Sequence, residues 1–211
     1  MTHHPPAIFV ADAAGLDFLN SIATPVDEVV DWLNDGACLI DWLSQAKLVP
    51  SDALELLRGR AMPGELDKVA EQARDLREWF RGFVQTHIGR PLDTAALEEL
   101  APLNKLLERD EGYKQLVRVG HGDRLELQPL RRWRSPESLL IPIGEKLAQF
   151  VCEEDFADVK ACEGHSCTLL FADHTRRRAR RWCSMAVCGN RAKQAAHRNR
   201  AKSQQRPVDH D

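Results

Sequence analysis

Apolar residues recur at three- and four-residue steps through Leu66, Val69, Ala70, Ala73, Leu76, Phe80, Phe83, Val84 and Ile88, which marks the buried face of one long helix. Pro63 stands where a first-turn proline belongs and Gly89 where a helix stops. The same period in shorter runs predicts helices over about 13–23, 26–47 (interrupted near Asn34-Asp35-Gly36), 51–58, 93–109 and 135–153. Ser51 and Ser135 are the expected N-caps, and Ser135 is followed by proline and glutamate, as helix starts prefer. Between the last two helices the period falls to two. Residues 113–119 and 124–130 alternate around Gly120-His121-Gly122-Asp123, which predicts a hairpin. Trp32, Trp42, Trp79 and the leucines supply a core large enough for this part to fold alone. The expected fold is mainly α with a small β-hairpin.

The last quarter of the chain follows a different rule. Four cysteines stand as Cys162-x4-Cys167 and Cys183-x4-Cys188, separated by fifteen residues. Two close pairs joined by a hairpin-sized insert suit a tetrahedral Zn²⁺ site, each pair forming a knuckle that offers two thiolates. Disulfides are the competing reading. The N-terminus shows no secretory signal and no apolar run long enough to span a bilayer, so the expected compartment is the cytoplasm, where paired cysteines serve metals. His165 could replace Cys167 as a ligand, although four thiolates already complete the shell. Cys38 and Cys152 lie in apolar-periodic segments and are expected to be buried, inert thiols. These patterns divide the chain into a helical domain over 1–157, a zinc finger over 158–203 and a disordered polar tail over 204–211.

Charge divides it the same way. A net charge of −3 combines +10 over residues 160–206, −11 over residues 1–159 and −2 from Asp209 and Asp211, which points to different partners for the two main parts. The split also predicts that the acidic part attracts the basic one and covers its basic face. Within the finger, 168–173 and 180–182 can pair as strands around the basic turn 174–178, and a helix is expected over about 190–202. Knuckle, hairpin and helix around one zinc make a treble-clef-like arrangement. Ala192, Ala195 and Ala196 form a small-residue stripe expected against the zinc core, with Phe171 and Trp182 completing a miniature core. The metal supplies much of the folding free energy of so small a module.

The run RRWCSMAVCGNRAK resembles the CGNR zinc-finger family through Cys188, Gly189, Asn190 and Arg191. The opening Leu16-Asp17-Phe18-Leu19-Asn20-Ser21 resembles the start of the ABATE domain, the usual partner of that finger; Trp133-Arg134-Ser135-Pro136 and the helix over 39–48 also fit. The resemblance implies a bacterial transcription regulator, stress-responsive, with the finger as the DNA-binding part and the helical domain as a sensor or dimerisation unit.

The residues lead to the same expectation. A four-thiolate zinc centre carries net charge −2, and Asn190 and Arg191 either buttress its sulfurs or join the basic surface. Those two cannot absorb the whole excess of arginine, whose planar fork suits phosphate. The expected nucleic-acid contacts are Arg176, Arg177, Arg178, Arg191, Lys193, Arg198, Arg200 and Lys202. Asp17 and Asn20 cap a helix or line a pocket, and capping is the reading adopted. An enzyme is not expected: the metal shell is full, and GxGxxG, P-loop, GxSxG and HExxH motifs are missing from the sequence. The expected partners are DNA, a small-molecule effector of the helical domain and a second copy of the chain in a homodimer, with no membrane. A protein-interaction module meeting an acidic partner is the alternative.

Overall fold

The computed structural model describes residues 5–24, 28–120 and 124–204, with side chains as far as residue 198. The predicted hairpin turn at His121-Gly122-Asp123 and the tail beyond Gln204 lie outside the described residues.

The long amphipathic run forms α4 (Glu65–His87). Around it stand α1 (Ala14–Leu19), α2 (Gly36–Gln45), α3 (Ser51–Arg60), α5 (Ala96–Glu99), α6 (Ala101–Leu107) and α7 (Leu140–Glu153). A 3₁₀ turn over Pro136–Leu139 leads into α7. The chain is mainly helical, with short antiparallel strand pairs among the described residues. The first pair, β1 (Ile22–Ala23) with β2 (Val30–Asp31), occupies ground where the sequence predicts helix. The second, β3 (Gly112–Arg118) with β4 (Leu125–Arg131), is the predicted hairpin, with Leu116 opposite Leu127.

Two helix starts differ from expectation. Pro63 precedes α4 rather than sitting in its first turn, with Gly64 at the cap position. Ser51 is the first helical residue rather than the cap, because Pro50 takes the cap position. Asp35 does cap α2, its carboxylate accepting from the Cys38 amide at 2.8 Å. The strand pair β1–β2 is tied to α4 by Arg77, 2 % exposed on the core face of that helix. Its guanidinium grips Asp31 with two bonds of 2.8 Å and donates to Ser21 Oγ at 3.0 Å. A buried arginine needs such a fork of acceptors, since an unpaired charge there is costly.

The core is continuous. Phe18 meets the edge of Trp42, Phe80 stacks on Phe83, and Phe150 leans on Phe156. The same buried cluster runs on through Val159, Phe171 and the finger cysteines. The finger consists of β5 (Val159–Ala161), β6 (Leu170–Ala172), a π-helical turn (Met185–Gly189) and α8 (Asn190–Gln204). One expectation is overturned here. The partner of β6 is β5, with Lys160 opposite Phe171, and residues 180–182 form no strand. Arg180 is drawn away from a ladder by its own side chain, as the next section shows.

Candidate metal centre and basic surface

The two knuckles are built by backbone turns that suit their length. In the first, the Cys162 amide donates to the Leu169 carbonyl at 2.9 Å and Cys167 to Gly164 at 3.0 Å. In the second, the Gly189 amide reaches the Ser184 carbonyl at 3.0 Å across the π turn. This wider turn accommodates four intervening residues where tighter knuckles use two. Gly164 is hemmed in by the cysteines themselves, whereas Gly189 is crowded only by the flexible Met185 side chain. A Cβ on Gly164 would lie 3.0 Å from Cys188 Sγ, and one on Gly189 would lie 2.7 Å from Met185 Sδ.

These turns bring the Sγ atoms of Cys162, Cys167, Cys183 and Cys188 within 4.8 Å of one another. Sγ of Cys183 lies 3.8 Å from that of Cys167 and 3.6 Å from that of Cys188. A tetrahedron with metal–sulfur bonds of about 2.3 Å has sulfur–sulfur edges of about 3.8 Å. A disulfide would need about 2.05 Å. The donor set therefore fits a metal ion at the centre of four thiolates.

Electrostatics agree, because four sulfurs this close cannot all ionise without a cation among them. The hydrogen bond with Cys183, working against burial, holds Cys167 down at about 5. That same bond, followed by burial, drives Cys183 well above the ordinary thiol range. Burial first of all lifts Cys188 to about 12. The amides of Gly164 and Cys183 donate to Cys162 Sγ at 3.4 and 3.3 Å, the bonds a thiolate ligand accepts. His165 is exposed and stands outside the cluster. The expected burial of the other two cysteines is corrected: Cys38 is half-buried and Cys152 exposed, both away from the cluster.

Between the knuckles, Asp173 organises the basic turn. It is fully buried and accepts from Lys160 Nζ at 2.7 Å, Thr175 Oγ1 at 2.6 Å, the Thr175 amide at 3.0 Å and the Arg180 amide at 2.9 Å. Burial opposes its charge, yet these donors hold its carboxyl well below the usual range. In the sequence Asp173 is merely an acid within the basic run over 160–206.

The arginines then fall into two groups. Arg178 pairs with Asp158 at 3.0 Å, Arg181 with Glu163 at 2.5 Å and Arg180 with Asp12. Arg180 also donates to the Val10 carbonyl at 2.9 Å, while its guanidinium lies 4.3 Å over the Phe171 ring. By contrast Arg176, Arg177, Lys193 and Arg198 are exposed and form no ion pair among the described residues. Arg191 is exposed at the start of α8. The side chains of Arg200 and Lys202 lie outside the described residues. Asn190 turns back to donate to the Ala186 carbonyl at 3.2 Å, closing the π turn rather than touching a sulfur.

The finger rests on the helical domain through contacts the sequence did not show. Asn20 stands at the C-cap of α1, and its side chain clasps β6: its amide donates to the Leu170 carbonyl at 2.8 Å, and its Oδ1 accepts from the Leu170 amide at 2.9 Å. The Ala172 amide donates to the Ala11 carbonyl at 2.8 Å. Asp17 is no cap, since it lies inside α1 and its carboxylate accepts from the Ala11 amide at 3.1 Å. His174 reaches Glu154 at 2.7 Å. The acidic part does hold the basic one, but the expected covering of the basic face is corrected: Arg176, Arg177, Lys193 and Arg198 stay exposed in the docked arrangement. The small-residue stripe is also corrected. Ala192 and Ala195 are half-buried and border a cleft, while Ala196 is exposed.

Comparison with known protein families finds two matches that together run through most of the chain. The model for ABATE, described as "Putative stress-induced transcription regulator", matches residues 12–154. The model for the CGNR zinc finger matches residues 159–201. No curated protein matches the chain. Among the described residues, no helix is long and apolar enough to cross a membrane.

Proposed function

This chain belongs to the ABATE family and ends in a CGNR zinc finger, and on that premise we propose that it is a DNA-binding transcription regulator whose finger is held by one structural Zn²⁺. The metal reading rests on the four thiolates, which leave no open position for water or substrate. For that reason the centre is assigned to folding rather than to catalysis. Thiolate ligands must also stay reduced, which suits the cytoplasm.

One observation carries the DNA reading. The finger satisfies Arg178, Arg180 and Arg181 with carboxylates of its own chain and presents Arg176, Arg177, Lys193 and Arg198 to solvent without them. Arginine forks suit phosphate oxygens, and each phosphate neutralised releases a counterion. The described cations, with Arg191, Arg200 and Lys202 along the same helix, supply roughly 4–6 phosphate contacts.

The test is binding of the metal-loaded full chain to genomic DNA fragments across a salt series. The slope of log K against log salt is expected between about −3.5 and −5.5. Changing Arg198→Gln is expected to reduce the magnitude of the slope by about one and to leave sequence preference alone. Binding that ignores salt, or an Arg176→Gln/Arg177→Gln variant with unchanged affinity, overturns the reading. Recovery of an acidic protein in place of DNA would assign the same surface to the interaction-module alternative.

A further inference from the structure

A cleft of about 800 Å³ lies where the finger rests on the helical domain. Its volume falls in the range of small-molecule sites, roughly 300–1,000 Å³. Both parts of the chain line it. The helical domain contributes Ile8, Val10 and Ala23, and the finger contributes Leu169, the metal knuckles and α8. Most of these side chains are apolar or small, yet the α8 side carries Arg191 and Arg198.

The pattern on α8 is regular. Arg191, Ala195 and Arg198 stand at i, i+4 and i+7, so they share one helix face. Two cations about 10 Å apart along the axis therefore flank a small residue that leaves space between them. Glu163 also borders the cleft, but its carboxylate is bound to Arg181 at 2.6 Å. The cationic wall is therefore the α8 side, where Arg198 forms no ion pair among the described residues, while the net negative charge of the four-thiolate centre belongs to the knuckle wall. The walls are fixed at both ends. Cys167, Cys183 and Cys188 border the cleft and are tied to the metal centre. Leu169 borders it too and precedes Leu170, which Asn20 holds. The knuckle and Leu169 sides of the cleft are therefore held in place by the metal centre and the Asn20 clasp.

We propose that this cleft binds a small amphipathic carboxylate, with its apolar body against Ile8, Val10, Leu169 and Ala195 and its head group on Arg198 or Arg191. An apolar molecule without the charge gains only the burial term. A cation is opposed by both arginines. Arg198 belongs to this cleft and also to the surface assigned to phosphate, so an occupied cleft withdraws it from DNA. That coupling rests on the DNA reading above; carboxylate binding does not.

The experiment is calorimetric titration of the metal-loaded full chain, without DNA, against octanoate, octan-1-ol and octylamine. Octanoate is expected to bind once per chain, at least about tenfold more tightly than octanol, with no binding of octylamine; a charge-assisted hydrogen bond is worth about that factor. The Arg198→Gln variant is expected to lose most of the preference for octanoate. Ala195→Trp, which fills the cleft from a half-exposed helix position, is expected to abolish binding while keeping full metal content and the parent melting temperature. Equal binding of octanol and octanoate, no octanoate binding at about millimolar concentration, or undiminished binding in metal-replete Ala195→Trp overturns the site. In a parallel DNA titration, octanoate is expected to weaken DNA affinity. Octanoate binding with no such effect overturns the coupling alone, and failure to bind DNA at all counts against the DNA reading and not against the site.

Discussion

Asn20 and Leu170 exchange two hydrogen bonds across 150 residues of sequence: the carboxamide donates to the Leu170 carbonyl at 2.8 Å and accepts from its amide at 2.9 Å. A carboxamide offers a donor and an acceptor side by side, the same pair that a neighbouring strand would present. It therefore completes the edge of β6 that β5 leaves open, and the Ala172–Ala11 backbone bond extends the match. The end of α1 and the finger strand are joined by this contact before any surface charge is considered.

Changing Asn20→Ala leaves a buried N–H and a buried carbonyl on β6 without partners, since Asn20 is 1 % exposed. The expected cost is about 2–4 kcal/mol. Chemical denaturation of the metal-loaded protein measures it. A loss below about 0.5 kcal/mol, the usual range of a surface change, would show that the clasp contributes nothing.

The Asp173→Asn change keeps the shape and removes the charge. Its new amide points a donor at groups that are all donors: Lys160 Nζ, Thr175 Oγ1 and the amides of Thr175 and Arg180. Lys160 loses its buried counter-charge as well. Breaking such a pair costs about 3–5 kcal/mol. Limited trypsin digestion is expected to cut at Arg176 or Arg177 well before it cuts the parent protein. Equal digestion rates would refute the role given to Asp173.

How much of this was legible in the sequence depends on how local each cause is. The face of α4 repeats within one segment, so its period alone predicts the helix. The cysteine spacing is equally local and announces the metal centre. Arg77 is different: on a buried helix face it reads as surface until Asp31 arrives from 46 residues away. The strand pairing in the finger fails for a similar reason. Residues 159–161 are too few to show a strand period, and nothing nearby reveals that Arg180 is engaged by Val10 and Asp12. Asn20 is legible as a cap of α1, but the partner of its side chain is 150 residues distant. Charge composition found the basic module but could not say which arginines the chain uses for itself.

Asp17 gives a pH-dependent signature. Burial raises its carboxyl from 3.8 to about 6, with Asp12 adding to the rise and the Ala11 and Val10 amides opposing it. In the folded state it binds a proton more tightly than in the unfolded state. Its favourable contribution is therefore complete below about pH 4 and is lost as the pH rises through about 6. Asp17→Asn keeps the acceptor for the Ala11 amide and removes the titration. The stability of the parent relative to this variant is expected to fall between about pH 4 and pH 6 and to level off above. Denaturation midpoints across that range measure it, and parallel profiles would contradict the assignment.

Metal removal tests whether the two parts share their stability. Without a cation, sulfurs within 4.8 Å repel as thiolates or take up protons, and either outcome loosens the knuckles. The second knuckle leads directly into α8 and the first into β6, on which the Asn20 clasp is made. A structural four-cysteine zinc site contributes about 10–16 kcal/mol of apparent binding to a finger peptide. Cys183→Ser is accordingly expected to lose the metal and unfold the segment beyond Val159. The helical domain should still melt cooperatively, because its own core lies in α1 to α7, but at a lower temperature, because Asn20 and the Ala11 carbonyl lose their partners. Elemental analysis with circular-dichroism melting reads both effects. Cys38→Ser and Cys152→Ser, both away from the cluster, should keep the full metal content. Full metal in Cys183→Ser would refute the centre itself. An unchanged helical melt after complete metal loss would show that the clasp holds position without adding stability.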